Sequence, residues 1–191
     1  MKIFNRQIFQ TGQVKKIRLV VILILIVAAL AYVFTGRREP TLIMEIKSPA
    51  FENNGQIPAD FTCSGKNINP ELLISGVPEG TKNLMLIVDD PDASRGITFN
   101  HWFMWNILPD TKTIPENSIP SGAVQGKNDA GIYGYTGPCP PPGKSHHYRF
   151  KLFALGEAPG LSKDAGLGDL EKIAVAAIQK AELVGIYERK Q

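Results

Sequence analysis

The sequence predicts a mainly β protein: an antiparallel β-sandwich with short peripheral helices, preceded by one N-terminal transmembrane helix. Three observations lead there. Beyond residue 42, short runs of alternating or wholly apolar character are separated by Gly, Pro and Asn clusters, the pattern of strands joined by turns. Only one later stretch, from Leu170 to Ala181, follows helical spacing. Residues 19–34 form an unbroken apolar run of sixteen residues.

The N-terminal region divides into a basic segment (1–18), the apolar run with Thr35 and Gly36 (19–36) and a short linker (37–41). A helix of about 18 residues reaches about 27 Å, enough to cross a hydrocarbon core. Lys2, Arg6, Lys15, Lys16 and Arg18 precede the run, and Arg37 and Arg38 follow it. That excess places the N-terminus in the cytoplasm and the domain outside it. A secretory signal cut near Ala29-Leu30-Ala31 is the alternative, giving a secreted protein. The long basic segment, and apolar residues continuing to Phe34, favour an uncleaved single-pass anchor.

The net charge of +3 averages two unlike parts. Residues 1–38 carry seven basic residues and no acid. The remaining 14 basic residues face all 18 acidic ones, a net of −4. A mildly acidic domain without basic clusters excludes nucleic acid as a partner, because phosphate neutralisation supplies most of that affinity. Length suits one domain, 42–191, with a full core.

Within that domain, Leu42, Met44 and Ile46 alternate with polar residues as a half-buried strand. Residues 51–70 read as loops, with a turn at Asn53-Asn54-Gly55. Residues 72–74 form a short strand and 83–89 a strong one. Residues 102–108 are apolar throughout, a strand buried on both faces. Residues 110–131 form a long aperiodic connection, of the kind that is functional or wraps the surface. Residues 148–155 alternate again, with Tyr148, Phe150, Leu152 and Ala154 on one face. Leu170, Ile173, Ala174, Ala177, Ile178 and Ala181 give one amphipathic helix, and 183–187 a closing strand.

Most of the unusual chemistry lies in residues 89–106 and 134–155, which hold all three histidines. Asp90-Pro91-Asp92-Ala93, His101-Trp102, Gly137-Pro138-Cys139-Pro140-Pro141 and His146-x-Tyr148 resemble the phosphatidylethanolamine-binding protein family, which includes Raf kinase inhibitor protein. The resemblance is closest to its bacterial and archaeal branch. Gly55-x-Ile57-Pro58, Phe61-Thr62-Cys63-x-Gly65, Asn69-Pro70-x-Leu72, Gly76-Val77-Pro78 and Glu182-Leu183-Val184-Gly185-x-Tyr187 extend it from Ile43 onward. Three positions depart from the pattern: Ser94 stands where proline is usual, Ile74 where tryptophan is common, and His147 where arginine is common.

The resemblance implies a β-sandwich with Greek-key connections and an anion-accepting pocket lined by Asp90, His101, His146 and Tyr148. Asp92 matches the motif and serves mainly to hold the loop. Imidazole N–H groups and a phenol can together hold a phosphate-sized anion, while Pro138 and Pro140 shape a wall. The expected ligand is therefore small and anionic or phosphate-bearing. No metal or other cofactor is expected, because Asp-x-Asp with scattered histidines is a weak metal signal. No enzyme is expected either, because Ser94, Ser145 and Cys139 lie in no nucleophile motif. Trp102 and Trp105 read as core rather than as stacking platforms. Cys63 and Cys139 are a candidate disulfide pair, since oxidation is the ordinary state in an exported domain. Two rival readings follow from the same residues: an inhibitor or regulator docking a kinase or protease as its protein partner, and a hydrolase using the His/Asp set.

Overall fold

Residues 83–90 are buried at all eight positions, and in a computed structural model of the protein they form an inner strand of a six-stranded sheet. The structure describes residues 4–35, 43–93 and 96–190. Two units divide the chain, Met1–Thr41 and Leu42–Gln191. The strands of the second unit are β1 (Glu45–Lys47), β2 (Gly55–Gln56), β3 (Leu72–Ser75), β4 (Asn83–Asp90), β5 (Phe99–Ile107), β6 (Thr113–Ile114), β7 (Val124–Gln125), β8 (Ser145–Leu155) and β9 (Gln179–Glu188). They form one sheet in the order β2-β9-β8-β4-β5-β7 and another in the order β1-β3-β6.

The wholly apolar runs of β4 and β5 are explained by two cores. Side chains alternate across a strand. Leu84, Leu86, Val88, Trp102 and Met104 therefore face Ile46, Leu72, Ile74 and Ile114 of the smaller sheet, inside the sandwich. Met85, Ile87, Phe103, Trp105 and Phe153 face the other way, where Ala165 and Leu170 cover them. Leu170 belongs to a short helix, Leu167–Ala174, so the β4–β5 part of the large sheet is buried on both faces. The register fixes these layers: Val88 sits opposite both Trp102 and Phe150.

Three expectations are corrected. The helix expected to reach Ala181 ends at Ala174. Ala181 instead pairs with Leu152 in the sheet, and alternate β9 residues Ala181, Leu183, Gly185 and Tyr187 are buried. An alanine-rich stretch satisfies either period, and here pairing with the long β8 decides. Second, the sandwich is not wholly antiparallel, because β2 runs parallel to β9 with Gly55 opposite Gly185.

Third, the N-terminal unit holds one helix, Phe4–Thr35, which takes in most of the basic segment as well as the apolar run. Among the described residues no helix is long and apolar enough to cross a membrane. The transmembrane helix, and the single-pass extracytoplasmic placement that depended on it, are therefore withdrawn. The linker at 37–41, Leu42 of the first expected strand, and Ser94 lie outside the described residues.

Gly185 shows how closely the β2–β9 edge is packed. A Cβ there would lie 2.5 Å from Ile57 Cγ1 and 2.8 Å from Phe51 Cε2, and both side chains are buried. Gly185→Ala is expected to lower stability by about 1–3 kcal/mol, the range for overpacking. A urea titration checks this; an unchanged midpoint would show that the edge yields without strain.

Candidate functional site

Asp90 ends β4, and His146 is the second residue of β8, which pairs beside β4. Asp90 Oδ1 accepts the Asp92 N–H at 2.8 Å, closing the turn at Pro91. Its Oδ2 accepts from His146 Nδ1 at 2.7 Å. Both residues are buried, at 4% and 9% exposure. A carboxylate that accepts two N–H groups is held in place, and it in turn fixes the ring plane of His146.

His101, on β5, is 4% exposed. Its Nδ1 lies 2.7 Å from the Thr136 carbonyl. A carbonyl can only accept, so Nδ1 carries the hydrogen and Nε2 is left for other partners. Burial pushes the His101 pKa below its ordinary value, opposed by the Thr136 carbonyl and the charges of Asp90, Asp129 and Asp89. Tyr148 lies against both histidines, edge-on to His101 at 5.2 Å and stacked near His146 at 6.5 Å between centroids. Its hydroxyl is buried without a hydrogen-bond partner. Burial raises its pKa, the Asp90 charge adds to that, and the Cys139 backbone opposes it.

These groups border a cleft of about 560 Å³ whose lining includes Asp90, Phe99, His101, Asp129, Thr136, Cys139, Pro140, Pro141 and His146. Of the residues singled out in the sequence, Asp90, His101, Pro140 and His146 border it. Pro138 is buried beneath the loop, its carbonyl accepting the Cys63 N–H at 3.1 Å. Tyr148 lies below the histidines. Asp92 is directed elsewhere: its Oδ2 accepts from the His147 backbone N–H at 2.9 Å and from His147 Nδ1 at 2.7 Å. Those bonds hold the Asp92 carboxyl below the usual carboxylate range. Cys63 and Cys139 form a disulfide. Among the described residues, no three His, Cys, Asp or Glu side chains converge as a metal site requires.

Sequence reasoning missed Asn128, Asp129 and Thr136. Asn128 is a buried hub whose Nδ2 donates towards the carbonyls of His101 (3.0 Å) and Gly134 (3.0 Å) and to Thr136 Oγ1 (2.8 Å). Its Oδ1 accepts from the N–H groups of Ala130 and Ile132. It thereby fixes the segment whose carbonyl orients His101. Asp129 Oδ2 accepts from the Asn100 backbone and side chain at 2.7 and 2.8 Å. Gly137 lets the same segment approach the Phe61 loop, since a Cβ there would lie 2.5 Å from the Phe61 carbonyl oxygen. The one available signal was the long aperiodic connection ending in Asn128-Asp129.

A β-sandwich carrying this histidine–aspartate cleft and proline wall defines a class of binding domain. The chain belongs to the phosphatidylethanolamine-binding protein family, whose model matches residues 47–188. It is 47% identical over 164 residues to the UPF0098 protein PH1269 of Pyrococcus horikoshii, an alignment covering 81% of each chain. It is 45% identical over 154 residues to a UPF0098 protein of Aquifex aeolicus, covering 77% of this chain and 90% of that one. Among solved structures it resembles the phosphatidylethanolamine-binding protein homologue CT736 of Chlamydia trachomatis, with a TM-score of 0.73 and 35% identity over 78% of this chain and 99% of that one. It also resembles YbcL of E. coli, described as a member of the mammalian family, with a TM-score of 0.72 and 34% identity over 77% and 99%.

Proposed function

We propose that this protein binds a small anionic or phosphate-bearing ligand in the cleft between Asp90, His101 and His146. One observation carries the reading: both cleft histidines have Nδ1 committed to a fixed acceptor, Asp90 or the Thr136 carbonyl. Each ring is thereby oriented before a ligand arrives, with Nε2 as the remaining nitrogen. Preorganised donors bind more strongly because little side-chain freedom is left to lose. Pro140 and Pro141 supply a stiff wall.

Protonation decides what His101 offers. Neutral, its Nε2 accepts, which suits the P–OH of a phosphate monoanion. Protonated, Nε2 donates and the ring is cationic, which suits any oxyanion. Because burial lowers the His101 pKa, the charged form is gained only below the ordinary histidine value of about 6.5. The sign follows: sulfate, which has no proton to offer near neutrality, should bind more tightly as pH falls through the region beneath about 6.5. Calorimetry of sulfate binding to the full-length protein between about pH 8 and pH 5 should show this, with proton uptake revealed by changing the buffer. An affinity independent of pH across that range contradicts the role given to His101.

A further inference from the structure

The proline wall consists of Pro138, Cys139, Pro140, Pro141 and Pro142. Proline has no N–H, so Cys139 provides the only backbone donor of the five. The wall is tied at its ends, where Gly137 N–H donates to Asn67 Oδ1 at 2.8 Å and Gly143 N–H to the Arg189 carbonyl at 2.9 Å. Between those ties, the Pro138 carbonyl accepts from Cys63, and Lys144 N–H closes a local turn onto the Pro141 carbonyl. The covalent tie across the middle is the Cys63–Cys139 disulfide. Both cysteines are exposed, and Cys139 itself borders the ligand cleft. Arg189 Nη1 lies 3.6 Å from Cys139 Sγ.

We infer that Cys63–Cys139 is a thiol-exchange site, at which a small thiol of the glutathione type cuts the tie and loosens the ligand cleft. A guanidinium beside a sulfur stabilises its thiolate and makes it the better leaving group. The incoming thiolate therefore attacks Cys63 Sγ. A mixed disulfide forms there, the Cys63–Cys139 bond breaks, and its electron pair leaves on Cys139 beside Arg189. A second thiolate then attacks the reductant's own sulfur in the mixed disulfide, releasing Cys63 as a thiolate and the reductant as its disulfide. Two electrons pass to the protein, and the released thiolates take up protons according to pH. The wall then keeps only its backbone ties, at its two ends, at the Pro138 carbonyl and at the Pro141 carbonyl. By linkage, a ligand that prefers the tied wall protects the disulfide by the same factor that reduction weakens its binding.

The coupling to the cleft rests on the anion-binding reading, whereas the site of attack does not. Full-length protein is treated with reduced glutathione, quenched in acid, alkylated and mapped by mass spectrometry. The expected product carries glutathione on Cys63 and the alkyl group on Cys139, and Arg189→Gln slows its formation. Glutathione found on Cys139, or a disulfide that resists the thiol until the protein is denatured, overturns the site. In the second arm, protein reduced with dithiothreitol stays folded and binds sulfate at least about fivefold more weakly, the lower end of ordinary couplings between sites. Equal affinity in the two states, or unfolding on reduction, overturns the coupling. If the oxidised protein binds no sulfate, the anion reading fails by itself. The imidazole NMR signals of His101 and His146 then decide: a shift on reduction supports the loosened wall, and unchanged signals overturn it.

Discussion

Asp90→Ala is expected to lower the free energy of unfolding by about 2–4 kcal/mol, because it removes a charged acceptor from two donors at about 1–3 kcal/mol each. The Asp90 and His146 side chains are only 6% and 11% exposed, so little water is available to replace what is lost. Two donors are orphaned together, the His146 ring N–H and the Asp92 backbone N–H that closes the turn. The His146 ring also loses its orientation, so sulfate binding should weaken beyond what the stability change alone would cause. Asp92→Ala, by contrast, removes an exposed contact with His147 and should cost less than about 1 kcal/mol. Equal losses from the two variants, measured by denaturant titration, would show that the buried pair has no special weight.

The second large effect concerns the disulfide. It joins cysteines separated by 76 positions, and in the chain-entropy model a loop of that length contributes up to about 4.5 kcal/mol. The double variant Cys63→Ser/Cys139→Ser should therefore melt about 10 °C or more below the parent, using the ordinary slope for a domain of this size. The transition should remain cooperative, because both cores are assembled from β4, β5 and β8, away from the exposed loops the bond connects. A melting temperature within about 2 °C of the parent would mean that the unfolded chain gains little freedom from the cut.

Much of the fold was legible because burial leaves a plain mark on sequence. The apolar runs at 84–88 and 102–107 have no polar alternation, and the structure explains them by a core on each face of the large sheet. Alternation at 148–155 was equally plain, since β8 lies between β4 and β9. The two-residue strand β2 was not legible, because so short an element has no period. The overlong helix came from small residues that fit either spacing until β8 selected the strand.

The candidate site was half legible for a related reason. The resemblance put Asp90 and His146 in the pocket and gave Asp92 mainly a loop-holding role, but residue spacing alone does not separate Asp90 from Asp92 or His146 from His147. Successive residues on a strand face opposite ways, so His146 turns inward to Asp90 while His147 turns outward to Asp92. A linear motif hides that split. Asn128 and Asp129 act through backbone carbonyls and N–H groups of an irregular segment, which leave no trace in residue spacing.

The central claim is that His101 takes part in holding an anion. Calorimetric titration of full-length protein with sulfate at about pH 5, where more of the ring is charged than at neutral pH, tests it most directly. His101→Ala should lose about 1.5–3 kcal/mol of binding, roughly a 10- to 150-fold rise in Kd, the range for a hydrogen bond to a charged group. His101→Phe keeps an aromatic ring against Phe99 and Tyr148 and should lose as much, which separates the imidazole from its packing. Lys144→Ala, an exposed residue that does not border the cleft, should change affinity by less than about twofold. Unchanged sulfate affinity in folded His101→Ala and His101→Phe would show that this histidine is structural and that the cleft is not the anion site.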